Sequence, residues 1–214
     1  VCGIFGYIGH QQALPILVEG LRRLEYRGYD STGVAVDDGQ TIQTHKTVGK
    51  VADLKAILPP SVQGTLGIAH TRWATHGGVT QVNTHPHASE AGTVHLVHNG
   101  IIENYQQLKK GLLKRGIECV SETDSEVLAH MIALEIESGS TPLESVQKTL
   151  RRLRGTWGLC ILFKEHDLLV CARNGSPLII GQGEGETFVS SDPHPLTTHT
   201  PVSYTHLTLP TTGV

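Results

Sequence analysis

The apolar residues of this 214-residue chain fall into two spacings, and the order of those spacings predicts the architecture. Residues 2–8, Cys2-Gly-Ile-Phe-Gly-Tyr-Ile8, are β-rich, whereas Leu14, Leu17, Val18, Leu21 and Leu24 recur at helical spacing. A strand should therefore lead into an amphipathic helix over 13–24. Pro15 suits the first turn of that helix, where a missing N–H has no partner to lose. Two short runs, 33–36 and 41–46, flank Asp37-Asp38-Gly39-Gln40, whose Asp-Gly pair signals a hairpin and hence an antiparallel sheet. Residues 65–69 and 93–97 read as buried strands, each delivering the chain into a segment crowded with polar groups. Helical patterns follow at 104–114, 125–137 and 142–152, and the second opens on Thr123-Asp124-Ser125-Glu126, an acid near a helix N-terminus. Strand patterns return at 157–163, 168–172, 178–181 and 187–190, with turn residues between them. Strands, then helices, then strands imply an α+β domain.

Composition narrows the class. With 38% hydrophobic and 17% charged residues the chain can bury a real core, and the absence of a linker or repeat before about residue 201 marks 1–200 as one domain. Its 17 basic and 20 acidic residues are scattered, giving a formal charge of -3 and no basic stripe, so no nucleic-acid partner is expected. No apolar run approaches the roughly 20 residues of a membrane helix, and the first residues lack the basic region of a signal peptide. The expectation is a soluble, cytoplasmic protein with no membrane partner. Cys2, Cys119, Cys160 and Cys171 form no CxxC pair, which fits reduced thiols. The thirteen histidines, His85-Pro-His87 among them, show no HExxH or other compact ligand spacing, so neither a metal nor a cofactor is expected in the chemistry.

Four features carry candidate chemistry. Cys2 becomes an N-terminal residue if Val1 is removed, and its α-amine, with an ordinary pKa of about 7.7 to 8.0, can then act as base for its own thiol. A small apolar cysteine on a strand is the plain alternative. In His70-Thr-Arg72-Trp73-Ala-Thr75-His76-Gly77-Gly78, the arginine can grip a carboxylate and the glycines permit a loop to close over a small ligand. Arg72 pairing with a surface acid and Trp73 filling the core would explain the same residues. Asn99-Gly100, after a strand end, combines a side-chain amide with a backbone N–H as an oxyanion hole does, although Asn-Gly is also an ordinary turn. Asp124 sits where it could cap a helix or receive a substrate ammonium group.

Taken together and in order, CGIFGYIG from Cys2, EYRGYDS around Arg27, HTRWATHG from His70, NTHPH from Asn83, HNGIIENY from His98 and TDSE from Thr123 resemble the class II glutamine amidotransferases. Within that family the wording is most similar to the branch that forms glucosamine 6-phosphate from fructose 6-phosphate. The resemblance runs from Cys2 to about Thr200. It implies an N-terminal-nucleophile hydrolase fold, a four-layer αββα sandwich with two antiparallel sheets. It implies Cys2 as nucleophile, Asn99 and Gly100 as oxyanion hole, Arg72 binding the α-carboxylate of L-glutamine and Asp124 its α-ammonium group. Trp73, Thr75 and His76 would form the closing loop, and Arg27 would support the site or face a partner domain. Attack by Cys2 on the glutamine side-chain amide would release ammonia from a γ-glutamyl thioester, which water converts to glutamate, with no cofactor.

Two other readings compete with this one: another amidotransferase of the amidophosphoribosyltransferase or asparagine synthetase type, and a non-catalytic glutamine-sensing module. The RWATHG and EYRGYDS wording opposes the first, and the filled catalytic positions oppose the second. Residues 201–214 do not resemble the family's continuation, and the isomerase domain that would take fructose 6-phosphate and hold a homodimer together lies outside this sequence. Removal of Val1 is the condition for an amine-activated Cys2.

Overall fold

The computed structural model describes residues 1–75 and 77–199, together with the backbone of 203–204. Its first sheet contains β1 (Gly3–Ile8), β2 (Ser31–Asp37), β3 (Ile42–Val48), β4 (Leu66–Arg72), β9 (Ile179–Gln182), β10 (Thr187–Ser190) and β11 (Ser203–Tyr204). These are ordered β11-β9-β10-β1-β4-β2-β3, and every pairing is antiparallel. The second sheet, ordered β5-β6-β7-β8, contains β5 (His87–Ala88), β6 (Val94–Asn99), β7 (Trp157–Phe163) and β8 (Leu169–Asn174), again all antiparallel. Helices α1 (Ala13–Leu24) and α2 (Val51–Ile57) accompany the first sheet, and α3 (Tyr105–Lys114), α4 (Asp124–Glu137) and α5 (Pro142–Leu150) accompany the second.

Three apolar layers follow from the strand alternation. Phe5, Tyr7, Val34, Val36 and Ala69 point from the first sheet to Leu14, Leu17 and Leu21 of α1. The alternate residues Ile4, Ala35 and Ile68 point the other way and meet Val97, Cys160 and Leu162 of the second sheet. Leu96, Leu159 and Ile161 then face Val127, Leu128 and Met131 of α4. Each such large side chain contributes on the order of 1.5–3 kcal/mol by leaving water. The result is the expected α+β sandwich of helices, two antiparallel sheets and helices.

The sequence pattern locates most elements to within a residue or two. It misses α2, whose seven residues include Asp53 and Lys55, and it misses the two-residue β5. It also leaves Asp124 as a possible cap, whereas Asp124 is the first residue of α4 and Thr123 caps the helix by accepting the Glu126 N–H at 3.3 Å. The segment 201–214 lies outside the described residues apart from the 203–204 backbone.

Candidate active site

The inter-sheet layer is apolar in its middle and polar at one end. Along β4 the inward positions Leu66 and Ile68 are followed by His70 and Arg72, and along β6 the inward Val97 is followed by Asn99. Cys2 immediately precedes β1, whose Ile4 faces the same layer. The strand period that builds the core thus brings three chemically capable side chains to the end of one layer, beside Cys2.

A cavity of about 270 Å³ opens at this end. Cys2, Arg72, Asn99, Gly100 and Asp124 line it, as do Arg27, Trp73 and Thr75. His76 lies outside the described residues. Thr156, Ser125 and Ser176 also line the cavity, as does His85, which the sequence presents only within a histidine pair; His70, which the sequence presents only as the start of the HTRWATHG segment, stands behind Asn99. A signal for His70 was present: it lies two residues before Arg72 on a strand, and therefore on the same face.

Cys2 is half-buried, and its Sγ accepts the Trp73 N–H at 3.2 Å and faces the Trp73 carbonyl at 3.5 Å. Burial pushes the Cys2 thiol up, outweighing the stabilising N–H and the nearby N-terminal and Arg72 charges. A buried thiol of this kind needs a base beside it before it can attack.

The Cys2 carbonyl accepts from Arg27 Nε at 3.1 Å and from Asn99 Nδ2 at 3.1 Å. Arg27 is in turn paired with Asp192 at 3.0 Å, so residues far apart in sequence fix the backbone carrying the thiol. The Asn99 amide is oriented from behind by His70, whose Nε2 lies 2.9 Å from Asn99 Oδ1. Complete burial lowers the His70 pKa to about 3, so the ring is neutral; its Nε2 donates to Asn99 and the amide nitrogen is directed to the Cys2 side. His85 stacks on His70 with ring centroids 4.0 Å apart, limiting how the ring can turn.

Gly100 follows with φ +123, where a Cβ would come 2.3 Å from the Thr156 carbonyl oxygen, so this corner of the cavity requires glycine. Asp124 is buried, and its Oδ2 accepts the Ile102 N–H at 2.7 Å, tying the start of α4 to the chain leaving Gly100. The loop after β4 is held at both ends. Ala74 N–H donates to Asp30, and the Gly78 carbonyl accepts from Arg72 Nη1 and Asn83 Nδ2, each at 3.0 Å. Glu122 accepts the Gly78 N–H at 3.0 Å, a bond that also lowers its pKa. Between these anchors, Trp73 is 46% exposed and meets Tyr29 edge-on at 5.5 Å.

Chemically, the cavity offers one sulfur nucleophile, two guanidiniums, of which that of Arg27 is engaged with the Cys2 carbonyl and Asp192, one carboxylate and an oriented amide beside a glycine N–H. Such a set can hold a small zwitterion at two ends and stabilise a developing oxyanion.

Comparison with known proteins agrees with that inventory. Residues 70–198 match a family model described as a glutamine amidotransferase domain. The chain is 47% identical over 194 residues to a glutamine–fructose-6-phosphate aminotransferase [isomerizing] of Mesorhizobium japonicum, covering 90% of this chain and 32% of that protein. A protein of the same name from Thermus thermophilus is 48% identical over 193 residues, with the same shares covered. The chain thus spans about a third of the length of these relatives. Among solved structures, glutamine phosphoribosylpyrophosphate amidotransferase from B. subtilis superposes with a TM-score of 0.80 at 29% identity, over 93% of this chain and 44% of that one. A structure described as the allosteric regulatory enzyme of purine biosynthesis gives 0.80 at 31%, over 91% and 42%.

Proposed function

This chain belongs to the glutamine amidotransferase domain family, and on that premise we propose that its cavity hydrolyses the side-chain amide of L-glutamine at Cys2. The observation that carries the reading is the placement of Cys2 Sγ on the wall of a cavity whose other walls carry Arg72, Asn99, Gly100 and Asp124. Arg72 grips the α-carboxylate and Asp124 receives the α-ammonium group, which leaves the side-chain amide facing the thiol.

Cys2 Sγ attacks the amide carbon, and the oxyanion is held by Asn99 Nδ2 and the Gly100 N–H. A primary amide carries two N–H donors, so Asn99 can keep its bond to the Cys2 carbonyl and still serve the oxyanion. The α-amine of Cys2, once Val1 is removed, takes the thiol proton and passes it to the departing ammonia. Water then cleaves the thioester to glutamate. With Val1 attached, the same nitrogen is an amide and has no basicity to offer. Trp73, Thr75 and His76 close over the bound substrate, and Arg27 holds the Cys2 backbone.

The relatives' names suggest the fate of the ammonia: transfer to fructose 6-phosphate, by a part of those longer proteins that this chain does not span. The identity of 47–48% to proteins with that name, against 29–31% to the purine-pathway structures, supports this acceptor over phosphoribosyl pyrophosphate.

Cys2→Ala is expected to abolish glutamate release while circular dichroism stays unchanged; substantial residual glutaminase activity would overturn the assignment. Intact mass should separate chains beginning at Cys2 from those retaining Val1, with activity confined to the former.

A further inference from the structure

We infer that Cys119, Glu126 and His130 form a structural binding site for a divalent transition metal, of which zinc is the natural occupant by donor chemistry. Glu126 and His130 are buried, and none of the three lines the cavity that holds Cys2. Glu126 and His130 stand one helical turn apart on α4, and Cys119 reaches them from the loop that enters that helix. One carboxylate oxygen, one ring nitrogen and the sulfur all lie within 4.8 Å of one another. Among the described residues this is the one group of three or more such donors that converge this closely.

The distances suit a tetrahedral ion. Bonds of about 2.0–2.3 Å to nitrogen, oxygen and sulfur place the ligand atoms roughly 3.3–3.6 Å apart. The Glu126 Oε1 to His130 Nε2 separation of 2.9 Å sits just below that range, and the 4.8 Å limit bounds the sulfur from above. Small side-chain rotations therefore complete the geometry. A mixed S, N and O donor set selects zinc, cobalt or nickel over magnesium and calcium, which prefer oxygen alone. Thiolate and carboxylate together supply two negative charges, which a divalent ion neutralises.

Ligand support and access are both present. Glu126 accepts the Val120 N–H at 2.9 Å and the Ser121 N–H at 2.6 Å, so the carboxylate is held in place by backbone rather than by solvent. A cavity of about 150 Å³ touches His130 and is lined by Glu90 and Glu137, giving a cation an acidic approach and leaving room for a water as fourth ligand. The ion would fasten the 119–123 loop to α4, the segment that carries Asp124 to the catalytic cavity. The sequence hides this site because its ligands follow no compact motif.

The test uses the full 214-residue chain carrying Cys2→Ala, so that the reactive thiol cannot bind metal. Metal-stripped protein is titrated with cobalt(II) and, by competition, zinc. The expected result is one equivalent per chain with a thiolate-to-cobalt charge-transfer band. Cys119→Ser should abolish that band and weaken zinc binding by about two orders of magnitude, and His130→Gln should weaken it similarly. Far-ultraviolet circular dichroism shows whether each variant is folded. Cys119→Ser, which replaces a partly buried thiol by its near-isostere, provides the fold-safe comparison. No tight equivalent, or binding that Cys119→Ser leaves unchanged, overturns the proposal; the latter outcome would move the metal to the Cys160 and Cys171 pair, whose sulfurs lie 3.5 Å apart.

Discussion

His70 does not line the cavity, yet it orients a side chain that does. A primary amide looks the same from either side, and at the end of β6 it could present its oxygen or its nitrogen to Cys2. The neutral His70 ring, donating through Nε2 to Asn99 Oδ1, selects the arrangement with nitrogen forward. Asn99→Ala removes the donor itself, and a fall in glutaminase kcat of about 10²–10³ is expected. His70→Leu leaves the amide unoriented, and kcat should fall about tenfold or more with little change in KM, because the loss is confined to the transition state. His70→Gln can restore a donor and should recover much of that loss. Steady-state assays of the three variants decide the matter; if KM rises while kcat holds, His70 is serving substrate binding or folding. The Cys2, Arg72 and Asn99-Gly100 positions were legible in the sequence because each sits in a short motif next to a strand end. The His70 role was not, since it depends on β4 and β6 coming from different sheets and meeting across the inner layer.

Elements differ in how strongly their own residues specify them. α1 and β7 announce themselves through period and composition, but α2 and β5 exist because the fold supplies them with partners. β5 is two residues long and pairs with Leu96 and His95 on the edge of β6, an arrangement no local pattern encodes. The approach of the 83–87 segment to the first sheet depends on Gly33 in β2, where a Cβ would meet the His85 carbonyl oxygen at 2.0 Å. That contact places His85 against His70, so a strand glycine indirectly orders the ring behind Asn99. Gly33→Ala must push the segment away or twist β2. The expected cost is about 1–3 kcal/mol of stability, read as a lower urea midpoint, together with reduced kcat. A midpoint and kcat equal to those of the parent would show that the two elements part without consequence.

For the molecule as a whole, the polar end of the inner layer carries a liability that its apolar middle does not. His70 and His85 are buried there, with His87 and His98 buried beside them toward α4, and burial is the leading cause that lowers the pKa of each, to about 3 for His70 and His87. In the unfolded chain these rings titrate near about 6.5, so between roughly 3 and 6.5 the unfolded state binds more protons than the folded one. Stability therefore rises with pH through that window, is fully present above about 6.5 and is lost as the pH falls below it. The carboxylates whose pKa values folding depresses, such as Glu19 at about 2, act only below their unfolded range near 4.3. The interval from about pH 4.5 to 6.5 thus isolates the histidines. Each withdraws on the order of 1 kcal/mol per pH unit, against a total of about 5–15 kcal/mol for an ordinary domain. Acid unfolding is expected as one cooperative transition already under way above the carboxylate range, with proton uptake of more than one per chain. Urea midpoints measured across pH 4.5 to 7.5 test this, and midpoints that stay flat down to the carboxylate range would mean that the buried rings find protonated partners without unfolding.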